Sequence, residues 1–192
     1  MKRFALVLVF AAVLMPGRAE ADGWVAPFFG VNFDGSTPAD TKPKTYGISM
    51  GSMGGGIFGF ETELSVSPDF FGESDDVLLG DNNVLTWMGN VLVGVPVGGQ
   101  SGFGVRPFFT GGVGLIRRRV ETAGELLEIS SNDFAYNLGG GVMVFFGNRI
   151  GIRGDYRYYR NFSTSDFGLD FLGEEADEFS FSRLSGALII RF

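Results

Sequence analysis

The sequence has no cysteine and no histidine. Without cysteine there is no disulfide scaffold and no thiol nucleophile. Without histidine, Ser-His-Asp and Cys-His catalysis and His-based zinc sites are excluded. Positive charge is also short: 15 Lys and Arg stand against 22 Asp and Glu. That balance excludes nucleic acid as a natural partner. Beyond the N-terminal segment no run of 18 consecutive apolar residues exists, so no transmembrane helix is expected there. Acids alone can hydrolyse glycosides, yet no tuned pair in a concave site is visible. The expectation is a protein that is not an enzyme, with no metal and no cofactor.

What is abundant is glycine, with 31 residues, and phenylalanine, with 21. The chain opens on "MKRFALVLVFAAVLMPGRAEA", with Lys2 and Arg3, an apolar stretch from Phe4 to Met15, and small residues at Ala19 and Ala21. This is the pattern of a secretory signal peptide over residues 1–21, too short to span a bilayer as a helix. Removing Lys2, Arg3, Arg18 and Glu20 leaves 12 basic and 21 acidic residues, a net charge of −9 over residues 22–192. That length suits one domain.

Eight segments alternate between apolar and small or polar residues: 24–33, 45–53, 58–67, 84–95, 105–119, 134–146, 150–159 and 179–192. Period two is the signature of strands with one apolar face. In the third, Phe58, Phe60, Thr62, Leu64 and Val66 oppose Gly59, Glu61, Glu63, Ser65 and Ser67. In the seventh, Ile150, Ile152, Gly154, Tyr156 and Tyr158 oppose Gly151, Arg153, Asp155, Arg157 and Tyr159. The connections alternate as well, four long ones interleaved with "GGGI", "PVGGQSG" and "GNR". Segments of about ten residues, short turns at one end and long loops at the other predict an all-β fold: an eight-stranded antiparallel up-and-down transmembrane β-barrel. Both termini and the short turns are then periplasmic, and the long loops are extracellular.

A soluble lipocalin-like barrel also alternates, with its apolar face inward. Three features favour the membrane form. The polar face is rich in Gly, Ser, Thr and Asn, as a narrow lumen requires. Aromatics gather near segment ends at Phe33, Tyr46, Phe146, Tyr156, Tyr158 and Phe192, where girdles belong. The last strand, "SRLSGALIIRF", runs to Phe192. Closure removes every strand edge, which lipid requires.

The segments "PFFGVNF", "GFETELSVSPDFF", "VRPFFTGGVGLIR", "NLGGGVMVFF", "IRGDYRYY" and "LIIRF" carry a likeness that covers nearly all of residues 22–192. The chain resembles the small outer-membrane β-barrel domain family and is similar to the transmembrane barrel of outer-membrane protein A. The resemblance implies location in the bacterial outer membrane and lipid and lipopolysaccharide as surroundings. It also implies a terminal signal, Leu188, Ile190 and Phe192, read by the barrel-assembly machinery. The larger relatives carry a periplasmic peptidoglycan-binding domain after the barrel, and the expectation here is a barrel without one. The resemblance also covers small lipid-modifying enzymes that rely on histidine, so their mechanism does not carry over.

Parity turns Glu61, Glu63, Arg106, Arg153, Asp155, Arg157, Arg183 and Arg191 into the lumen. The third and seventh segments lie on opposite walls, so an ion-pair network across the barrel is expected. It either fills the lumen or lines a narrow ion path. Arg117, Arg119 and Arg160 face outward at the loop end, where they would meet lipopolysaccharide phosphates or lie as snorkelling interface residues. Residues 69–83 hold five acids, 121–133 four and 166–178 six, with no Lys or Arg. These read as solvated loops, with divalent-cation binding or a basic partner as the functional alternative. Gly54, Gly56 and Gly59 match dinucleotide-loop spacing, but a strand follows them, so a hairpin turn is the better reading. Asn161-Phe162-Ser163 reads as ordinary loop. The functions expected are a monomeric non-enzymatic envelope protein acting in integrity, surface contact or adhesion, or a passive porin-like channel for small or hydrophobic solutes.

Overall fold

A computed structural model describes residues 22–37, 42–54, 57–68, 70, 83–98, 103–121, 128–162 and 179–192. The expected signal peptide, most of the three acidic spans, Gly56 and Ser163 lie outside the described residues. Among the described residues nine strands form one sheet: β1 (Asp22–Phe33), β2 (Lys44–Gly54), β3 (Phe58–Ser67), β4 (Val84–Gly94), β5 (Val97–Gly98), β6 (Phe103–Glu121), β7 (Glu128–Phe146), β8 (Ile150–Asn161) and β9 (Ser180–Arg191). All pairings are antiparallel between chain neighbours, with β1 against β9 and β4 against β6. The two-residue β5 continues the wall of β4, so the sheet closes as an eight-stranded barrel.

The register fixes its shape. The partners Asp22, Met53, Gly59, Leu92, Thr110, Gly139, Arg157, Arg183 and Asn32 lead once around the wall. The path starts at position 22 and returns to the same strand at position 32, a stagger of ten residues. For eight strands this means a tilt of about 40° and a backbone radius of about 8 Å. Side chains from opposite walls therefore meet on the axis.

Alternation predicts this wall because each strand meets two different media. In β3 and β4 the exposed and buried residues alternate along the whole strand. The apolar set faces outward, with Phe60 at 72% and Phe109 at 79% exposure. A soluble barrel would have turned that set inward. All six expected girdle aromatics lie on the outward face, and Phe33 packs on Tyr156 with ring centroids 6.0 Å apart.

Three details differ from the alternation. The fourth segment ends at Gly94 because Pro96 has no N–H for the ladder, which resumes at Val97. Strands β6 and β7 run 19 residues each, longer than the alternating stretches. The residues added to β7 pair Asn132 with Arg117 and Ser131 with Arg118. There the polar sequence shows no period, yet backbone pairing continues. The lumen also holds more bulk than a small-residue face suggests. Trp24, Met53, Leu92, Phe108, Met143 and Ile189 form an apolar cluster at the turn end. Phe70, Val84, Met88, Ile116, Phe179 and Phe181 belong to a second cluster at the loop end.

Candidate functional site: the charged layer of the lumen

Between the two apolar clusters lies a layer of charge. Strand β3 supplies Glu61 and Glu63. Four strands away, on the opposite wall, β8 supplies Arg153, Asp155 and Arg157, and β9 supplies Arg183. All six residues are buried, with Arg157 and Arg183 each 1% exposed. Three guanidinium groups face three carboxylates, so the layer is neutral.

Glu61 is the hub. It accepts from Arg153 Nη1, from Arg157 Nη2 at 2.6 Å and from Asn90 Nδ2 at 3.2 Å. Asn137 Nδ2 donates in turn to Asn90 Oδ1 at 2.7 Å. Glu63 accepts from Arg183 Nη2 at 2.6 Å and from the Tyr159 hydroxyl at 3.1 Å, and Arg157 Nη1 lies 3.0 Å from it. Asp155 bridges its own strand, accepting from Arg153 Nε at 2.6 Å and Arg157 Nε at 3.1 Å. It also accepts from Ser185 Oγ at 3.1 Å. Aromatic faces cover the cations: Arg153 lies 4.6 Å over Phe108, and Arg183 sits between Phe28 at 4.8 Å and Tyr159 at 4.7 Å. Buried charges persist only when paired and hydrogen-bonded, and these are.

Two glycines on β7 make room for this layer. A Cβ at Gly139 would strike Tyr156 O and come within 2.8 Å of Arg157 Cγ. One at Gly141 would strike Gly154 O and meet Asp155 Cβ at 2.6 Å. Bare backbone on β7 lets the arginine and aspartate of β8 turn inward.

The other expected luminal arginines lie elsewhere. Arg106 packs at the turn end, 5.3 Å over Phe145, with Nη1 3.5 Å from Met53 S. Arg191 covers the same Phe145 ring at 4.6 Å. Arg117 is exposed, Arg160 half-buried, and the Arg119 side chain lies outside the described residues. Arg118 was not among the expected residues. It pairs with Asp133 at 2.8 Å and lies 5.0 Å over Phe179 at the loop-end mouth. Leu188, Ile190 and Phe192 face outward, and Phe192 N donates to Gly23 O at 3.0 Å. Asn90, Asn137 and Tyr159 were also missed as members of the network. Parity alone places all three inside, but only the register shows which carboxylate each one meets. Gly54 ends β2 and Gly59 lies in β3, opposite Met53, so the glycine motif belongs to a hairpin. Among the described residues no group of three or more acids is arranged to hold a metal ion.

With fold and lumen in place, the relatives can be compared. A profile for "Outer membrane protein beta-barrel domain" matches residues 4–192. The chain belongs to this family. As a member, it is an outer-membrane β-barrel of bacteria. A curated relative, the "22 kDa outer membrane protein" of Rhizobium leguminosarum bv. viciae, is 31% identical over 116 residues. That match covers 59% of this chain and 49% of the relative, so the chain spans about half the length of the relative it matches. Among solved barrels it is similar to Neisserial surface protein A, at TM-score 0.60 and 14% identity, covering 88% of this chain and 97% of that one. It is also similar to the N-terminal barrel of Pseudomonas aeruginosa OprF, at TM-score 0.56 and 10% identity, covering 88% and 96%. The Yersinia pestis attachment invasion locus protein, solved with a heparin analogue, gives TM-score 0.53 at 11% identity, covering 90% and 99%. At such identities the likeness is one of fold.

Proposed function

We propose that this family member is a monomeric, non-enzymatic envelope protein with a closed lumen, acting in membrane integrity, surface contact or adhesion through its acidic outer loops. One observation carries the reading. The middle of the lumen is occupied by three arginines and three carboxylates that pair with one another and are almost wholly unexposed. An ion path needs groups that release what they bind. Here the same groups are held by partners 2.6 to 3.2 Å away and capped on both sides by apolar side chains.

In this reading both termini and the short turns face the periplasm, and the long loops face outward. Arg117, Arg119 and Arg160 then lie where lipopolysaccharide phosphates would meet them. Leu188, Ile190 and Phe192 act as the signal for the assembly machinery. The loops are the remaining surface for a partner, and their acidity favours a basic one or divalent cations.

The test is single-channel conductance of the refolded barrel in planar bilayers, after a heat-modifiable gel shift has shown that it folded. A folded barrel that stays silent is the expected result. Steady openings altered by Glu61→Gln or Arg153→Met would replace this reading with a passive channel for small or hydrophobic solutes.

A further inference from the structure

The outward wall carries a groove across β2, β3 and β4. Ile48, Met50, Thr62, Leu64 and Trp87 line a space of about 390 Å³. Its one hydroxyl, on Thr62, is taken: Trp87 Nε1 donates to it at 3.1 Å. Gly89 lies beside Thr62 in the register, and a Cβ there would find its nearest neighbour, Val113 O, only at 3.8 Å. Thr62 and Gly89 therefore form a low floor between taller apolar walls.

The lining decides the kind of occupant. A peptide or sugar would have its polar groups unmet there, at a large desolvation cost. A hydrocarbon chain needs no hydrogen bond. Toward the loop end, two cations face outward, one on the groove's own strand β2 and one on β6 beside β4. Lys44 opens β2, and Arg117 on β6 is the register partner of Leu85, two residues from Trp87. Both are exposed. We propose that the groove holds one acyl chain of an anionic membrane lipid, with its phosphate met by Arg117 and Lys44. This rests on the outward face lying in lipid and adds a defined site to it.

The two tryptophans make the test direct. Trp24 is inside the lumen at 3% exposure, and Trp87 is outside at 56%. A Trp24→Phe variant leaves Trp87 as sole emitter. It is refolded into phosphatidylcholine vesicles containing a minor fraction of lipid brominated along its chains, either phosphatidylglycerol or phosphatidylcholine. A cation near a lipid surface favours an anion by about fivefold. Quenching by the brominated phosphatidylglycerol should therefore indicate at least about fivefold enrichment at Trp87. The chain's negative net charge works against such enrichment elsewhere. Lys44→Gln with Arg117→Gln should abolish the preference, and Gly89→Leu, which fills the groove, should abolish it too. Equal quenching by the two lipids overturns the proposal. So does an unchanged preference in Gly89→Leu, which would leave the cations acting without the groove. If neither lipid quenches Trp87, the placement of the outward face in lipid fails first.

Discussion

Replacing Glu61 by Gln removes one charge from a neutral layer of six without changing its volume. The carboxylate accepts from Arg153, Arg157 and Asn90. A carboxamide keeps one acceptor and turns an N–H toward an arginine. Removing one partner of a buried pair costs about 3–5 kcal/mol. Both arginines retain Asp155, at 2.6 and 3.1 Å, so the cost belongs at the lower end, about 3 kcal/mol. Arg153→Met should cost a similar amount, since it leaves the layer with a net negative charge. Combining the two restores balance, two cations against two carboxylates. The double variant should therefore cost less than the sum of the singles by about 1–3 kcal/mol. Urea unfolding of the barrel in lipid vesicles, followed by tryptophan fluorescence, reads all four proteins. A Glu61→Gln barrel within about 0.5 kcal/mol of the parent, or strict additivity in the cycle, would refute the network.

Gly139→Ala should destabilise by about 1–3 kcal/mol, because its Cβ is driven into Tyr156 O and Arg157. Gly154→Ala, whose Cβ meets only Ser185 O at 4.0 Å, should stay within about 0.5 kcal/mol in the same unfolding assay. Phe70→Ala removes a fully buried ring packed on Phe179 and Phe181 at 5.6 and 5.3 Å. A loss of about 3–5 kcal/mol is expected, seen as a lower melting temperature. Phe192→Ala should lower the amount of barrel reaching the outer membrane in cells while leaving refolding in vesicles nearly intact; an equal loss in both would make Phe192 a packing residue and not a signal.

The wall was legible because lipid and lumen impose opposite demands on neighbouring residues. Glu61 and Arg153 show how far that reaches. Parity puts both inside, and strand count puts them on opposite walls. Their contact depends on the ten-residue stagger, which no single strand encodes. The same parity places Arg106 and Arg191 inside with the others, yet height separates them, and they pack on Phe145 at the turn end. Height is a property of register and tilt together. Phe70 was illegible for a different reason. It lies in a loop, where no periodicity applies, and its burial comes from the mouth that Phe179 and Phe181 offer it. The extra length of β7 escaped because residues 128–133, Glu-Ile-Ser-Ser-Asn-Asp, carry no alternation to mark them.

These observations join at barrel closure. The Glu61 and Arg153 pair is separated by 92 residues in sequence, and the Glu63 and Arg183 pair by 120. Neither can form while the sheet is open, since β3 meets β8 and β9 only across a closed lumen. Until closure the six charged groups keep their water, and an open intermediate escapes the desolvation cost. Closure removes that water, seats the guanidinium groups on Phe28, Phe108 and Tyr159, and links one wall to the other by charge. Backbone pairing of β1 with β9 closes the ladder in the same event. The ionic layer thus rewards only the correctly staggered barrel, because a one-residue slip of β3, β8 or β9 would turn that strand's charges toward lipid.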